Sequence, residues 1–436
     1  MSMNWEQLLQ PVRLGKDPEP VSMNKSPFEI DGDRIKFSSA FRRMQDKMQV
    51  HGISGNDNTR TRLTHSIEVS AVARTLGLKV GETIYDEISK ANIQPTELGH
   101  IISAAALAHD IGNCSFGHLG EDTIKHFFNE EEYGWNFIKN LSDDVIKDFQ
   151  NFDGNGQGFR VITRLQGFNN DGGLCLTYPV LASVQKYPSI ANAYKPQGVT
   201  GKKAGIFLTE VNFYEEIAKT LGLRQYKEGE LSWARHPLAW LLEASDDICY
   251  RIVDIEDGYN MNQLSFDEVE ELLLPLINEK KMDSFYKKIE SKNRKVAYLR
   301  AKVIDTLIDQ VTESFFNNYE KIMNGTHTKS LLDLTPSINS LKVISKVTRE
   351  RIFNTEDKQK LHMSGYQYIY KILRVYSDAF LSRELGKSHP KHEAIIRIFP
   401  ESSLVPNDRE SWLRAIIDYV SGMTDSFTVE HSRIFD

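Results

Sequence analysis

Apolar side chains recur at helical spacing in segment after segment of this chain, and that recurrence limits its architecture more than any other feature. In 237–254 (PLAWLLEASDDICYRIVD), Leu238, Leu241, Ile248 and Ile252 follow steps of three, seven and four, which line one face of an α-helix. The same pattern runs through 66–80, 99–110, 210–221, 266–278, 296–323 and 362–385, whereas strand-like alternation is scarce and short. The expectation is an all-α fold with few short strands. Glycine-rich polar stretches at 153–158 (DGNGQG), 167–173 (GFNNDGG) and 196–205 (PQGVTGKKAG) are predicted to be loops. Residues 386–409 read as a polar, proline-bearing connection between C-terminal helical parts.

A chain of 436 residues can hold two or three domains or one large helical unit. No uncharged apolar run approaches the roughly 20 residues of a membrane span. The N-terminus lacks the cationic start and apolar stretch of a secretion signal, so no membrane association is expected. Cys114, Cys175 and Cys249 lie far apart with no CxxC pair, which argues against a disulfide scaffold or thiolate zinc site and fits a reducing cytoplasm. The net charge is −7, from 53 basic and 60 acidic residues, so any binding of phosphate must come from local basic clusters. Gly201-Lys202-Lys203 is not a P-loop, because the spacing before the lysine and the following residue are both wrong.

The strongest chemical signal is His109-Asp110 in ALAHDIGN, at the end of an Ala- and Ile-rich helix with Gly112 as its expected stop. Neighbouring helical side chains diverge by about 100°, so the pair can share an ion only if other helices close the site. His65 in RTRLTHSIEV offers an imidazole and Asp246 in EASDDICY a carboxylate. Two imidazoles and two carboxylates form a mixed N/O site for a first-row divalent metal with positions left for water and phosphate oxygens. An HD dipeptide alone is weak evidence, but Asp110 buried beneath ALA without a partner or metal would be costly. Asp247 competes with Asp246; Asp246 is preferred because it shares a helical stripe with Tyr250 and Asp254. His118 and Glu121 in FGHLGE lie three residues apart, on one face at a helix start.

Taken together, the blocks DRIKFSSAFRRMQDKMQV, RTRLTHSIEVSAVARTLG, AALAHDIGNCSFGHLGE, LTYPVLASVQKYP and RHPLAWLLEASDDICYRIVDIED resemble the HD superfamily, and within it the deoxyguanosinetriphosphate triphosphohydrolases. The resemblance spans about residues 26–310. It implies that His65, His109, Asp110 and Asp246 hold the metal and that His118 and Glu121 form an acid–base pair. It places Tyr250 against the sugar ring and Asp254 at the 3′-hydroxyl, an arrangement with little space for a ribose 2′-hydroxyl. It assigns Arg62, Lys186 and Lys203 to phosphate, Gln49 to the sugar, and Asn155 to a loop that meets substrate. Tyr187 joins this substrate-binding group beside Lys186. The implied reaction is metal-dependent attack of water at the α-phosphate of dGTP, or of other dNTPs, releasing deoxynucleoside and triphosphate. His118 would either protonate the departing 5′-oxygen or relay a proton from the water. One departure stands out: Cys114-Ser115 replace two prolines common in bacterial relatives, which loosens the turn and removes no chemical group.

Mn²⁺ or Mg²⁺ are the expected ions, with Fe²⁺, Ni²⁺ and Zn²⁺ compatible with the same donors. Relatives imply a homo-oligomer, commonly a hexamer. The basic run 287–302 reads by default as a solvated helix face, with Arg300 within possible reach of substrate and single-stranded DNA as a candidate effector. Residues 1–320, with HD motifs in 60–255, are expected to form the hydrolase core. Residues 321–436 are expected to complete the pocket or an oligomer interface. The competing readings are another HD phosphohydrolase acting on a nucleotide and a nucleotide- or single-stranded-DNA-binding sensor without turnover.

Overall fold

The computed structural model describes residues 2–15, 25–49, 60–130, 132–167, 172–277, 284–354, 356–400 and 408–436, without the side chains of 357, 358 and 362. Helices dominate, and extended pairing among the described residues is confined to isolated bridges such as Met48 with Thr61 and Ser189 with Ser232. The expected short strands are therefore single bridges inside an all-α fold.

Helix α1 (Pro27–Phe37) starts at a capping box made by Ser26 and Glu29. Helix α2 (Arg62–Thr83) is capped by the Thr61 hydroxyl on the Thr64 amide. It packs along α3 (Pro95–Ala108) with backbone nearly against backbone. A β-carbon at Gly77 would stand 2.7 Å from the Leu98 carbonyl oxygen, and one at Gly81 would stand 2.8 Å from Pro95. Helix α4 (His118–Phe127) follows a sharp turn; beyond the short helices Trp135–Ile138 and Asp143–Gln150 lie α5 (Gly154–Arg160) and α6 (Tyr178–Val184). Helix α7 (Pro237–Asn260) has Pro237 in its first turn and crosses both α2 and α3. Helix α8 (Lys292–Asn317) packs on α7, and α9 (Glu356–Glu384) packs on α4, α10 (Arg409–Gly422) and α11 (Asp425–Arg433).

Three sequence expectations need correction. The DGNGQG stretch is not a loop: residues 154–160 form α5, with Asp153 as its N-cap. Its glycines serve close approach, since a β-carbon at Gly154 would meet Glu121 Oε1 at 2.4 Å. Gly112 likewise acts by contact rather than as a helix stop, because its β-carbon would lie 2.0 Å from the Gly158 nitrogen. The 386–409 connection contains a helix, Pro390–Arg397, and its residues 401–407 lie outside the described residues. Of the other two predicted loops, 196–205 holds one 3-10 turn, Val199–Gly201, and 168–171 lie outside the described residues.

Two apolar clusters form the interior. The first gathers α1–α3 and α6–α8 and extends from Met3 to Ile352. The second joins residues 114–152 to the C-terminal helices, from Ile369 to Met423. Residues 323–352 thus pack with the first cluster, and the helices from 356 onward with the helix that begins at His118.

Candidate active site

Three helices of the first cluster bring the HD residues together. His65 lies in the first turn of α2, His109 and Asp110 directly follow α3, and Asp246 sits midway along α7. His65, His109 and Asp110 each present a ligand atom within 4.8 Å of the others, and all three are buried. Asp246 Oδ1 completes the group at 3.1 Å from His65 Nε2 and 3.5 Å from His109 Nε2. His109 Nδ1 donates to the Ala106 carbonyl at 2.7 Å, which leaves the Nε2 lone pair facing the two carboxylates. That buried Nε2 has no hydrogen-bond partner among the described residues.

The electrostatics favour a cation at this point. Burial opposes ionisation of Asp110, but His109, Arg62 and His65 outweigh it and hold the carboxyl well below the usual range. Asp246 is likewise held low against burial by Lys186, His109 and His65. Burial would lower the His109 pKa, yet Asp110 and Asp246 raise it, so the field between the ligands is one that attracts positive charge. An imidazole nitrogen without a partner, aimed between two ionised carboxylates, fits a divalent metal with N/O ligands.

Arg62 and Lys186 border this group and are tied to its carboxylates. Arg62 Nη1 is 2.8 Å from Asp110 Oδ2, and Lys186 Nζ is 2.6 Å from Asp246 Oδ2. Asp247, the competing carboxylate, instead accepts from Ser330 Oγ at 3.1 Å. Burial, with Glu243 and Asp246 nearby, pushes its pKa up to about 7.

Beside the metal group, Glu121 is buried in the first turn of α4 while His118 is exposed at its start. Glu121 Oε1 accepts from the Gly154 amide at 2.9 Å, and Lys203 Nζ lies 3.7 Å from Oε2 and 2.5 Å from Asp153. Burial and Asp153 raise the Glu121 pKa against Lys203 and His118. Lys203 therefore stands with Glu121 and Asp153, apart from the Asp246 carboxylate that holds Lys186. Asn155 turns its amide back onto Asp153 at 2.7 Å.

The remaining expected substrate residues spread along the adjoining helices. Tyr250 is 44% exposed and its ring stacks on Phe353 at 5.6 Å and 7°. Asp254, about one turn further along α7, is buried. The Arg235 guanidinium lies 5.7 Å from the Tyr187 ring centre. Gln49 is half-buried, and its side-chain oxygen accepts no hydrogen bond from a described residue. Arg300 pairs with Glu256, which Arg60 also engages together with Asp257 and Glu68. Lys292 and Lys295 of the basic run lie over the Phe266 ring and Lys302 over Tyr298, so part of that run is engaged within the chain.

Sequence reasoning missed several residues around the site. Asn113 donates to Asp110 Oδ1 at 2.5 Å, and Asp153 holds Lys203. Lys47 and Asp425 bond the backbone of the turn before His118. Asn113 and Lys47 lie inside or beside quoted blocks and were within reach. Asp425 is 309 residues from its partner Phe116, with no local signal to mark it.

Comparison with known proteins identifies the family. The HD domain family matches residues 62–150. A deoxyguanosinetriphosphate triphosphohydrolase-like protein of Pseudomonas aeruginosa (strain LESB58) is 37% identical over 444 residues, covering 99% of this chain and 98% of the relative. A protein of the same description from Synechocystis sp. is 37% identical over 97% of each chain. The deoxyguanosinetriphosphate triphosphohydrolase of Yersinia enterocolitica is 26% identical over 93% of each. No helix among the described residues is long and apolar enough to cross a membrane.

Proposed function

Because the chain belongs to the family of deoxyguanosinetriphosphate triphosphohydrolase-like proteins, we propose that it hydrolyses dGTP, with other dNTPs as further candidates, to deoxynucleoside and inorganic triphosphate. The observation that carries the reading is His109 Nε2, which has no hydrogen-bond partner among the described residues and faces Asp110 and Asp246 at 3.5 Å beside His65. His65, His109, Asp110 and Asp246 would hold the ion, Mn²⁺ or Mg²⁺ first among the candidates. Such an ion supplies Lewis acidity toward a phosphoryl oxygen and water.

The chain's own residues supply the rest. Arg62 and Lys186, already at the ligand carboxylates, are placed to neutralise the α-phosphate, and Lys203 extends the cationic border toward Glu121. Glu121, whose pKa burial and Asp153 raise against Lys203 and His118, would orient and polarise the His118 imidazole from α4's first turn. His118 is the exposed donor for the departing 5′-oxygen or the relay for the proton of water. Tyr250 presents a ring face to the sugar, Asp254 bonds its 3′-hydroxyl, and Gln49 contacts the sugar. Tyr187 and Asn155 border the phosphate side. Residues 1–320 form the hydrolase core in this reading, and 321–436 complete the pocket or an oligomer interface.

Chromatography of products tests the proposal: purified protein with Mn²⁺ or Mg²⁺, each dNTP and GTP in turn, then dNTP mixtures. Triphosphate plus deoxynucleoside, with GTP untouched and a chelator abolishing turnover, is expected. Orthophosphate or pyrophosphate would assign a different HD phosphohydrolase. Metal binding with no turnover of single or mixed dNTPs would make the protein a sensor.

A further inference from the structure

The backbone between the HD pair and His118 is unusually constrained. Phe116 is a non-glycine residue with φ 57°, and Gly117 follows at 62°. A β-carbon disfavours that region, so Phe116 stays there only if its surroundings hold it. Gly117 is required for a second reason, since a β-carbon there would stand 2.8 Å from Arg62 Nη2. The turn contains no proline to fix it.

What holds it comes from chain hundreds of residues away. Asp425 at the start of α11 is buried and bridges two segments: Oδ1 accepts from the Phe116 amide at 2.9 Å and Oδ2 from the Met48 amide at 2.9 Å. Thr428, one turn on, donates to Ser115 Oγ at 3.0 Å. Lys47 is 3% exposed, and its ammonium donates to the Asn113 carbonyl at 2.5 Å and the Ser421 carbonyl at 2.9 Å. Asn113 in turn bonds Asp110. Beneath the turn, Gly365 of α9 lets that helix touch the Phe116 ring, where a β-carbon would lie 2.8 Å from Cγ. Both ends of the 113–116 segment are thus bonded by buried charged groups, and each group also grips another part of the chain. A carboxylate that accepts one amide on each oxygen is a specific device, because an asparagine there would turn an NH₂ toward one of the two donors.

We propose that Asp425 and Lys47 form a latch through which the C-terminal helices fix the Phe116–Gly117 turn and so aim His118. Both are positioning residues, since neither reaches the ligand atoms of the metal group. The inference rests on the acid–base reading of His118. It gives the C-terminal region a defined task in the reaction: it sets the direction of a side chain that lies more than 230 residues before it.

The test uses the full chain with Mn²⁺ and dGTP and reads three quantities for Asp425→Ala: amide exchange over 113–118, bound Mn²⁺, and kcat and KM. Exchange is expected to rise over that peptide, and kcat to fall about 10- to 100-fold, as a misplaced catalytic group would cause. KM and Mn²⁺ stoichiometry are expected to stay unchanged. In a His118→Ala background, Asp425→Ala is expected to cost nothing further, because there is no imidazole left to aim. Additive losses in the double variant would overturn the latch, as would unchanged kcat despite faster exchange, or loss of Mn²⁺ in step with kcat. Normal turnover by His118→Ala alone would sink the acid–base reading, and with it the aiming role, without any Asp425 variant being needed. If Asp425→Ala does not fold, Lys47→Met and Thr428→Val remove single latch bonds. They must then show the same sign in exchange and kcat, or the proposal fails.

Discussion

The metal half and the acid–base half of the candidate site are built in different ways. The metal half belongs to the first apolar cluster, where α2 and α3 touch through Gly77 and Gly81 and α7 crosses them. Its four side chains are buried or nearly so and are set against one another by charge. The acid–base half belongs to the second cluster, rich in aromatic residues such as Phe127, Phe128, Phe137 and Trp412, and it is closed by C-terminal helices. There Glu121 is buried but His118 is exposed. The difference teaches that the two halves are held by different parts of the chain: the His65, His109, Asp110 and Asp246 group by a block with short sequence reach plus one helix, the His118 and Glu121 turn by long-range closure.

The largest expected effect breaks the metal half alone. Asp246→Asn keeps the shape but removes the charge that faces His65, His109 and Lys186. Mn²⁺ stoichiometry is expected to collapse and kcat/KM to drop by about 10³-fold or more, the scale of losing several kcal/mol of charge stabilisation. Helical circular dichroism should be retained, since the first cluster is untouched. A variant that kept full Mn²⁺ and activity would remove Asp246 from the ligand set and return Asp247 to contention.

Next comes the opposite half. His118→Ala is expected to lower kcat by about 10²–10⁴-fold, the usual worth of a positioned acid or base. Mn²⁺ binding, measured by equilibrium dialysis, should be unchanged. Glu121→Gln, which keeps the acceptor for the Gly154 amide, should cost less than His118→Ala. If either variant lost Mn²⁺ as fully as Asp246→Asn, the two halves would not be separable.

The same contrast explains what the sequence made legible. Helix existence, the HD pair, His65 and Asp246 are local signals: periodicity for the first and residue type at a helix end or face for the rest. The burial cost of Asp110 could be foreseen because its own neighbours are apolar. DGNGQG misled for a physical reason, since glycines that usually free a loop here make room for Glu121 and Gly112 against α5. Lys203 carried a phosphate expectation, and the fold sets it on Asp153 and Glu121. Asp425 was out of reach altogether, because its importance lies in two amides that only tertiary structure brings to it.

Packing offers a third way to separate the halves. Ile372 is fully buried in the second cluster and Leu241 in the first. Truncating either to alanine is expected to cost about 2–5 kcal/mol. The consequences should differ in mild urea: Ile372→Ala should lose turnover while Mn²⁺ stays bound, whereas Leu241→Ala should lose both together. Parallel titrations of activity and bound Mn²⁺ read this directly. Coincident loss in both variants would show that the clusters unfold as one unit.

The smallest expected effect concerns Lys47, where the two halves meet. Burial pushes its pKa down to about 8; Arg43 and Arg62 act in the same direction, and Asp425 pulls against them. An unfolded lysine titrates near 10.4. Below about pH 8 the group is charged in both states and its desolvation cost is paid in full. As pH rises from there toward 10.4, the folded chain releases its proton first, so the unfolded state binds more protons and stability gains. The gain between pH 7.5 and 10 is expected to be about 2 kcal/mol. Urea unfolding of wild type and Lys47→Met at both pH values isolates it, because the other titrating groups cancel in the difference. The wild type's advantage over Lys47→Met should widen by that amount on going to pH 10. A gap that stayed constant would mean that the ammonium keeps its charge across this range, held by the Asn113 and Ser421 carbonyls more firmly than burial opposes it. The latch would then be a fixed ionic tie at every pH at which the protein works.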